Sequence, residues 1–107
     1  SNGRGFHYEG LSDATSKVIE ITKFPDANGV YEAVVEVAGK QKNAKSTFFP
    51  KEWSPEQVLD AVEEAYNARV LQKGNVYRGV TSSGITIEMY IDLNNNKINS
   101  FFPVMFD

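Results

Sequence analysis

One strongly marked helix lies between two stretches of strand pattern, and this order limits the fold more than any other feature of the chain. Ser54 is suited to cap the helix, Pro55 suits its first position, and Gln57 can reach back to the cap. The apolar residues that follow recur at helical spacing: Val58, Leu59, Ala61, Val62, Ala65 and Tyr66. The pattern predicts a helix from Pro55 to about Ala68 with one face packed on a sheet.

Strand patterns flank this helix on both sides. Segments rich in β-forming or alternating residues cover 16–24, 30–37, 76–80, 85–91 and 97–104. Polar turn residues separate them, at 25–29, at Ser82-Ser83-Gly84 and at Asn94-Asn95-Asn96. Because these turns are too short for crossover helices, neighbouring strands are expected to pair antiparallel. The order predicts an α+β fold in which one long helix packs on antiparallel sheets.

Length and composition favour one domain that is stabilised by packing alone. A chain of 107 residues with 41% hydrophobic content can bury a single core. There is no cysteine, which excludes disulfides and thiolate chemistry, and a single histidine argues against a structural zinc site. No apolar run approaches the ~18 to 20 residues that would span a bilayer, so we expect no membrane partner.

The charge is acidic overall but contains a local basic cluster. A net charge of −3 argues against general binding of polyanions. Lys40, Lys42, Lys45 and Lys51 nevertheless lie close together in the sequence. Such a cluster fits a site for one or two phosphates, and the alternative is a solvated lysine-rich loop.

Two segments at opposite ends of the chain carry residues suited to chemistry or binding. His7 lies between Phe6 and Tyr8, and an imidazole that titrates near neutrality can accept a proton from a hydroxyl group. A lone histidine is, however, more often structural or simply exposed. Near the other end, Ser100 and Phe102 are two residues apart on a predicted strand and are therefore expected to share one face.

Several aromatic residues have a simpler interpretation as parts of the core. Phe48, Phe49 and Trp53 are expected to pack inside the domain. The hydroxyl groups of the preceding Ser46 and Thr47 would then bond to nearby backbone groups. Phe101 and Phe102 must face opposite sides of their strand, so at least one of the two is expected in the core.

Taken in order, three segments resemble the EndoU-like (poly-U-specific) endoribonucleases, in particular the bacterial EndoU toxin domains. They are Gly5-Phe6-His7, the run from Lys42 through Ser46-Thr47-Phe48-Phe49-Pro50, and Ser100-Phe101-Phe102-Pro103. The resemblance covers nearly the whole chain. It implies that residues 1–107 form a single EndoU-like nuclease domain that uses chemistry similar to that of ribonuclease A.

The resemblance also implies roles for catalytic residues. His7 would be the general base, and a lysine would stabilise charge at the phosphoryl oxygens. Lys42 is favoured because a family lysine is followed four positions later by a small hydroxyl residue, here Ser46; Lys45 is the alternative. Ser46 would lie near the scissile phosphate.

Ser100 and Phe102 would hold the uridine of the substrate. The hydroxyl group would bond to the pyrimidine edge, and the aromatic ring would stack on the base. The chain has serine and phenylalanine where threonine and tyrosine are common in the family. Stacking is expected to persist, whereas any role of a phenol oxygen is lost.

The implied reaction is cleavage of RNA at uridines by attack of the 2′-hydroxyl group, leaving 2′,3′-cyclic phosphate ends. No metal is required for such a reaction, although members of the family can respond to manganese. The implied partners are RNA and a cognate immunity protein. The implied setting is a secreted or delivered bacterial toxin, as in contact-dependent inhibition, that acts in the cytoplasm of a target cell.

The family uses two histidines, and the first precedes the Gly-Phe-His segment with which this chain begins. We therefore expect the N-terminal part of the domain to be missing and this chain to be inactive or impaired by itself; a degenerate homologue is the alternative. A different class of function is also open, namely a non-catalytic protein-binding or interaction module of α+β fold. In that case the lysines are solvated and His7 has no chemical role.

Overall fold

The structure is a computed structural model that describes residues 16–37 and 40–106, with side chains for 20–34 and 45–106. These residues form seven strands and one helix. Their bounds are β1 (Ser16–Lys23), β2 (Tyr31–Val37), β3 (Lys40–Phe48), α1 (Pro55–Asn67), β4 (Val70–Lys73), β5 (Val76–Val80), β6 (Thr86–Asp92) and β7 (Lys97–Pro103). The predicted α+β class is confirmed.

The strands form two antiparallel sheets. The first has the order β1-β2-β3 and the second the order β4-β5-β6-β7. Strand β3 ends one side of the first sheet, and β7 ends one side of the second. These two edge strands contact each other, so the sheets meet where residues from the middle and the end of the chain come together.

Helix α1 begins as the sequence predicts. The hydroxyl group of Ser54 accepts a hydrogen bond from the Gln57 backbone N–H at 3.2 Å, and the Gln57 side chain accepts one from the Ser54 N–H at 2.7 Å. This capping box satisfies two donors that a helix N-terminus would otherwise leave without partners. The helix has 13 residues, and no helix in the described part of the chain is long and apolar enough to cross a membrane.

The core lies between α1 and the inner face of the second sheet. The buried helical residues are those of the predicted stripe except Leu59, which is partly buried: Val58, Ala61, Val62, Ala65 and Tyr66. They pack against Val30 and Ile85, which precede strands, and against the sheet residues Ile87, Met89, Ile91 and Ile98. The backbone of the helix lies directly against the sheet at Gly79, where an added Cβ atom would overlap the Ala65 carbonyl group. This crossing therefore requires glycine.

The aromatic residues at the end of β3 and after it pack largely as expected. Phe49 and Trp53 are partly buried against the core, with ring centroids 5.8 Å apart. Phe48 is different, because it stacks on Tyr31 of β2 at 5.3 Å and belongs to the first sheet. Burial raises the pKa of Tyr31 above its ordinary value.

Two strands were not predicted from the sequence. Strand β3 (Lys40–Phe48) is rich in lysine and polar residues, and β4 (Val70–Lys73) is short and exposed along its whole length. Both are edge strands, each hydrogen-bonded to only one neighbour within its sheet, and they therefore need no strong apolar pattern. These two segments are extended because they pair with β2 and β5. Their intrinsic strand propensity alone would not give them this conformation.

The predicted hairpin turn between β6 and β7 is confirmed. Asp92 accepts a hydrogen bond from the Asn94 backbone N–H at 2.9 Å, and its carbonyl oxygen accepts one from the Asn96 N–H at 2.7 Å. Asn96 has a φ of 58°, a left-handed conformation that asparagine tolerates better than most residues. The run of three asparagines is thus explained by turn geometry.

Candidate functional site

A pocket of about 450 Å³ opens where β3 and β7 meet. Strand β3 contributes three consecutive residues to its walls, β7 contributes two aromatic residues, and β2 contributes one carboxylate. The lining residues are Glu32, Lys45, Ser46, Thr47, Phe101 and Phe102. Three residues with different predicted roles, Lys45, Ser46 and Phe102, therefore line one cavity.

A hydrogen bond between the two edge strands holds this pocket together. The Thr47 hydroxyl group donates to the Pro103 carbonyl oxygen at 2.6 Å, across 56 residues of sequence. A local backbone acceptor was expected for this hydroxyl group, but the acceptor lies in the other sheet. Because the bond joins the strand that carries Ser46 to the strand that carries Phe102, it fixes the distance between the two walls.

The aromatic pair of β7 divides between the two faces of the second sheet, as predicted. Phe101 is the Cα partner of buried Met89 and packs on Phe49 with ring centroids 6.0 Å apart. Phe102 is the Cα partner of Glu88 on the opposite face, and its ring lies 6.3 Å from that of Tyr90. Both rings are partly buried, so the pocket has an aromatic wall with accessible ring surface.

Ser100 lies on the same face of β7 as Phe102. It is the Cα partner of Tyr90, whereas Phe102 is the partner of Glu88 two residues away. Ser100 is exposed, but of the residues that the structure describes it is not among those lining the pocket. The two residues thus share a strand face, while only Phe102 forms a wall of the cavity.

The two candidate lysines occupy different positions on β3. Lys45 is exposed and lines the pocket. Lys42 lies in the segment where the register of β2 and β3 shifts, between the Val34–Lys45 and Glu36–Gln41 pairs. The backbone of Lys42 is described and its side chain is not, and His7 lies outside the described residues. The catalytic roles expected of His7 and Lys42 therefore stay predictions.

Glu32 lines the pocket, although no sequence pattern predicted a role for it. Its Oε1 atom accepts a hydrogen bond from the Thr22 hydroxyl group at 2.8 Å, and its Cα partner in β3 is Thr47. The alternation of β2 carried a signal, since Tyr31 and Ala33 are buried and Glu32 must then face the other side of the strand. That signal places Glu32 on a face but does not reveal the pocket.

A polar network borders the pocket on the outer face of the second sheet. Arg78 donates to Glu88 at 2.9 Å, and the Tyr90 hydroxyl group donates to the other Glu88 oxygen at 3.1 Å. The pKa of Tyr90 is raised above its ordinary value, chiefly by the hydrogen bond to Glu88 and to a smaller extent by the negative charge of Glu88. Tyr90 beside Phe102 is therefore a neutral phenol at physiological pH.

Among the residues whose side chains the structure describes, 20–34 and 45–106, no group of three or more histidine, cysteine, aspartate or glutamate residues is placed to hold an ion. The expected response to manganese remains a prediction.

Comparison with known proteins assigns the chain to a family. The family model described as bacterial EndoU nuclease matches residues 1–105. A Bacillus cereus protein named "Toxin" is 47% identical over 103 residues, which cover 92% of this chain and 19% of that protein. The chain thus spans about a fifth of the length of this curated relative, and no solved structure matches. Since the family match covers nearly the whole chain, the chain belongs to the bacterial EndoU nuclease family.

Proposed function

We propose that the chain is the nuclease domain of a delivered bacterial toxin that cleaves RNA at uridines. The observation that supports this function best is the shared pocket of Lys45, Ser46 and Phe102. It combines a cation for a phosphate, a hydroxyl group for hydrogen bonding and a ring for base stacking. These are the groups that a single nucleotide of RNA requires.

The reaction we propose is an intramolecular transesterification. The 2′-oxygen of the ribose attacks the adjacent phosphorus atom, the bond from phosphorus to the 5′-oxygen breaks, and a 2′,3′-cyclic phosphate and a 5′-hydroxyl group result. His7 would accept the proton of the 2′-hydroxyl group. Lys42 or Lys45 would stabilise the charge that develops on the phosphoryl oxygens, and a second acid would protonate the leaving oxygen. The nucleophile belongs to the substrate, so the chemistry requires no metal-bound water.

The biological setting is part of the same proposal. The relative from Bacillus cereus carries the name "Toxin", which supports delivery of this domain into a target cell. A toxin that degrades RNA would harm the cell that makes it, so a cognate immunity protein is the expected protein partner.

The proposed activity is tested with an oligonucleotide that contains one ribouridine among deoxynucleotides. The complete gene product is the appropriate enzyme, because this chain corresponds to 19% of its relative. We expect a single cut on the 3′ side of the uridine, with a cyclic phosphate identified by mass spectrometry. An intact substrate after prolonged incubation with folded protein would contradict the nuclease proposal and favour the alternative of a non-catalytic binding module.

Substitution of Phe102 tests the proposed stacking wall. We expect Phe102→Ala to weaken binding of a uridine oligonucleotide by about 5- to 150-fold, because stacking of a base on an aromatic ring contributes roughly 1 to 3 kcal/mol. Phe102→Tyr keeps the ring and is expected to bind normally. Fluorescence anisotropy with an uncleavable 2′-deoxyuridine substrate measures both.

The matched control for this measurement is Phe24→Ala. Phe24 is 80% exposed and does not line the pocket, so its removal also deletes one aromatic ring but should leave binding unchanged. Equal losses for Phe24→Ala and Phe102→Ala would show that the effect is not specific to the pocket.

A further inference from the structure

We propose that Glu32 selects uracil by accepting a hydrogen bond from the N3–H group of the base in this pocket. This inference rests on the proposed function, since it assumes that a pyrimidine stacks on Phe102. It adds a specificity residue that lies on β2, outside the three segments on which the family resemblance depends.

The position of the Glu32 carboxylate is set by the first sheet. Its Oε1 atom is held by the Thr22 hydroxyl group of β1 at 2.8 Å. The Glu32 side chain is half-buried and lines the pocket. The bond from Thr22 thus anchors the carboxylate through one oxygen, and in this proposal the second oxygen, Oε2, accepts the hydrogen bond from the ligand.

The hydrogen-bonding groups around the pocket are divided into donors and acceptors. Lys45 can only donate, and Ser46 can donate. The Thr47 hydroxyl group already donates its hydrogen to Pro103, so toward a ligand it can only accept. The Glu32 carboxylate accepts as well. The pocket therefore offers at least one fixed acceptor beside a cationic donor.

Uracil complements this arrangement better than cytosine does. The pairing edge of uracil presents an acceptor at O2, a donor at N3 and an acceptor at O4. Glu32 would accept from N3–H while Lys45 and Ser46 donate to the flanking oxygens. Cytosine carries an unprotonated N3, which would face the carboxylate as a second acceptor. A site built for one hydrogen-bonding pattern rejects the other because polar groups are left without partners.

The negative charge of the Glu32 carboxylate also weakens binding of RNA unless a ligand group compensates for it. A negative charge in a pocket that receives a phosphodiester repels the substrate, whatever its sequence. A hydrogen bond from a base donor to a charged acceptor is stronger than one between neutral groups. The contact with N3–H offsets the repulsion for uridine and not for cytidine, so the carboxylate discriminates between the two pyrimidines.

The test compares two uncleavable oligonucleotides that differ at one atom. Each consists of 2′-O-methyl adenosines around one central 2′-deoxynucleoside, either deoxyuridine or N3-methyldeoxyuridine. For the unmodified protein we expect at least about 10-fold tighter binding of the deoxyuridine probe by fluorescence anisotropy. In Glu32→Ala the ratio is expected to fall to about one, because the acceptor for N3–H has been removed.

Glu32→Gln is a second variant, nearly equal in size to glutamate, for which a different change in binding is expected. Its amide can donate to the unprotonated N3 of cytosine, so binding of a deoxycytidine probe should improve by about 10-fold relative to the unmodified protein. A purely structural role of Glu32 predicts no gain for any base. Glu20→Gln removes the same charge from the exposed side of β1 and is expected to leave every ratio unchanged.

The outcomes separate this inference from the proposed function. If the unmodified protein binds neither uridine probe, the proposed function is wrong. If it binds deoxyuridine and N3-methyldeoxyuridine equally well, or if Glu32→Ala keeps the original ratio, the nuclease proposal stands and the role of Glu32 is wrong.

Discussion

Gly79→Ala is expected to destabilise the domain more than a methyl group added at any other glycine that the structure describes. The new Cβ atom would lie 1.9 Å from the carbonyl oxygen of Ala65 and 2.6 Å from its carbonyl carbon. These are backbone atoms of α1, so no side-chain rotation can relieve the overlap. The helix would have to move off the sheet, at a cost of about 3 kcal/mol or more. Urea unfolding followed by circular dichroism measures this loss against a total stability of roughly 5 to 15 kcal/mol.

Gly74→Ala is the matched control for this measurement. No atom lies within 4 Å of a Cβ added at Gly74, but its φ of +56° is a left-handed conformation. Alanine there is expected to cost about 1 to 2 kcal/mol through backbone strain alone. If Gly79→Ala and Gly74→Ala lose the same amount of stability, the loss at Gly79 does not come from overlap with α1.

His7→Ala is expected to reduce RNA cleavage by about 10² to 10⁴-fold, the range associated with loss of a general base. An alanine cannot accept the proton of the 2′-hydroxyl group, so the attacking oxygen remains a weak nucleophile. Cleavage of the single-ribouridine substrate by the complete gene product measures the effect. Binding of the uncleavable deoxyuridine probe should be unchanged, since this role of His7 concerns the attack and not affinity. Full activity of His7→Ala would contradict the assigned role.

The same assay decides between the two candidate lysines. Replacement by alanine of the lysine that stabilises the phosphoryl charge is expected to reduce the cleavage rate by about 10² to 10³-fold. This is the range for other groups that stabilise charge in a transition state. The spacing to Ser46 favours Lys42, whereas the pocket contains Lys45. Lys51→Ala removes an equal charge from a lysine placed over the Tyr31 ring at 6.0 Å, and it serves as the control for general electrostatics.

Much of the fold was predictable because its signals are local. The cap at Ser54, the proline after it and the apolar stripe are interactions within a few residues, and the helix begins where they indicate. The alternation of β2 and the turn residues before β7 are local in the same way. The opposite orientation of Phe101 and Phe102 follows from the two-residue period of any strand.

Edge strands were less predictable because their conformation depends on a partner. The residues of β3 alternate poorly, and their extended conformation comes from hydrogen bonds to β2. The missed strand matters for function, because Lys45, Ser46 and Thr47 all lie on it. With β3 read as a loop, no sequence pattern relates Ser46 to Glu32 on the neighbouring strand.

By itself, the sequence determined the α+β class, the helix, most of the strands and the residues through which the chain resembles its family. Each of these depends on residue type and on spacing along the chain. Only the tertiary structure decided that the edge strands of two separate sheets become neighbours, joined by the hydrogen bond from Thr47 to Pro103. It thereby placed Phe102 and the unpredicted Glu32 beside Lys45 and Ser46. Contacts across 56 residues arise from packing of the whole domain, which no local pattern encodes.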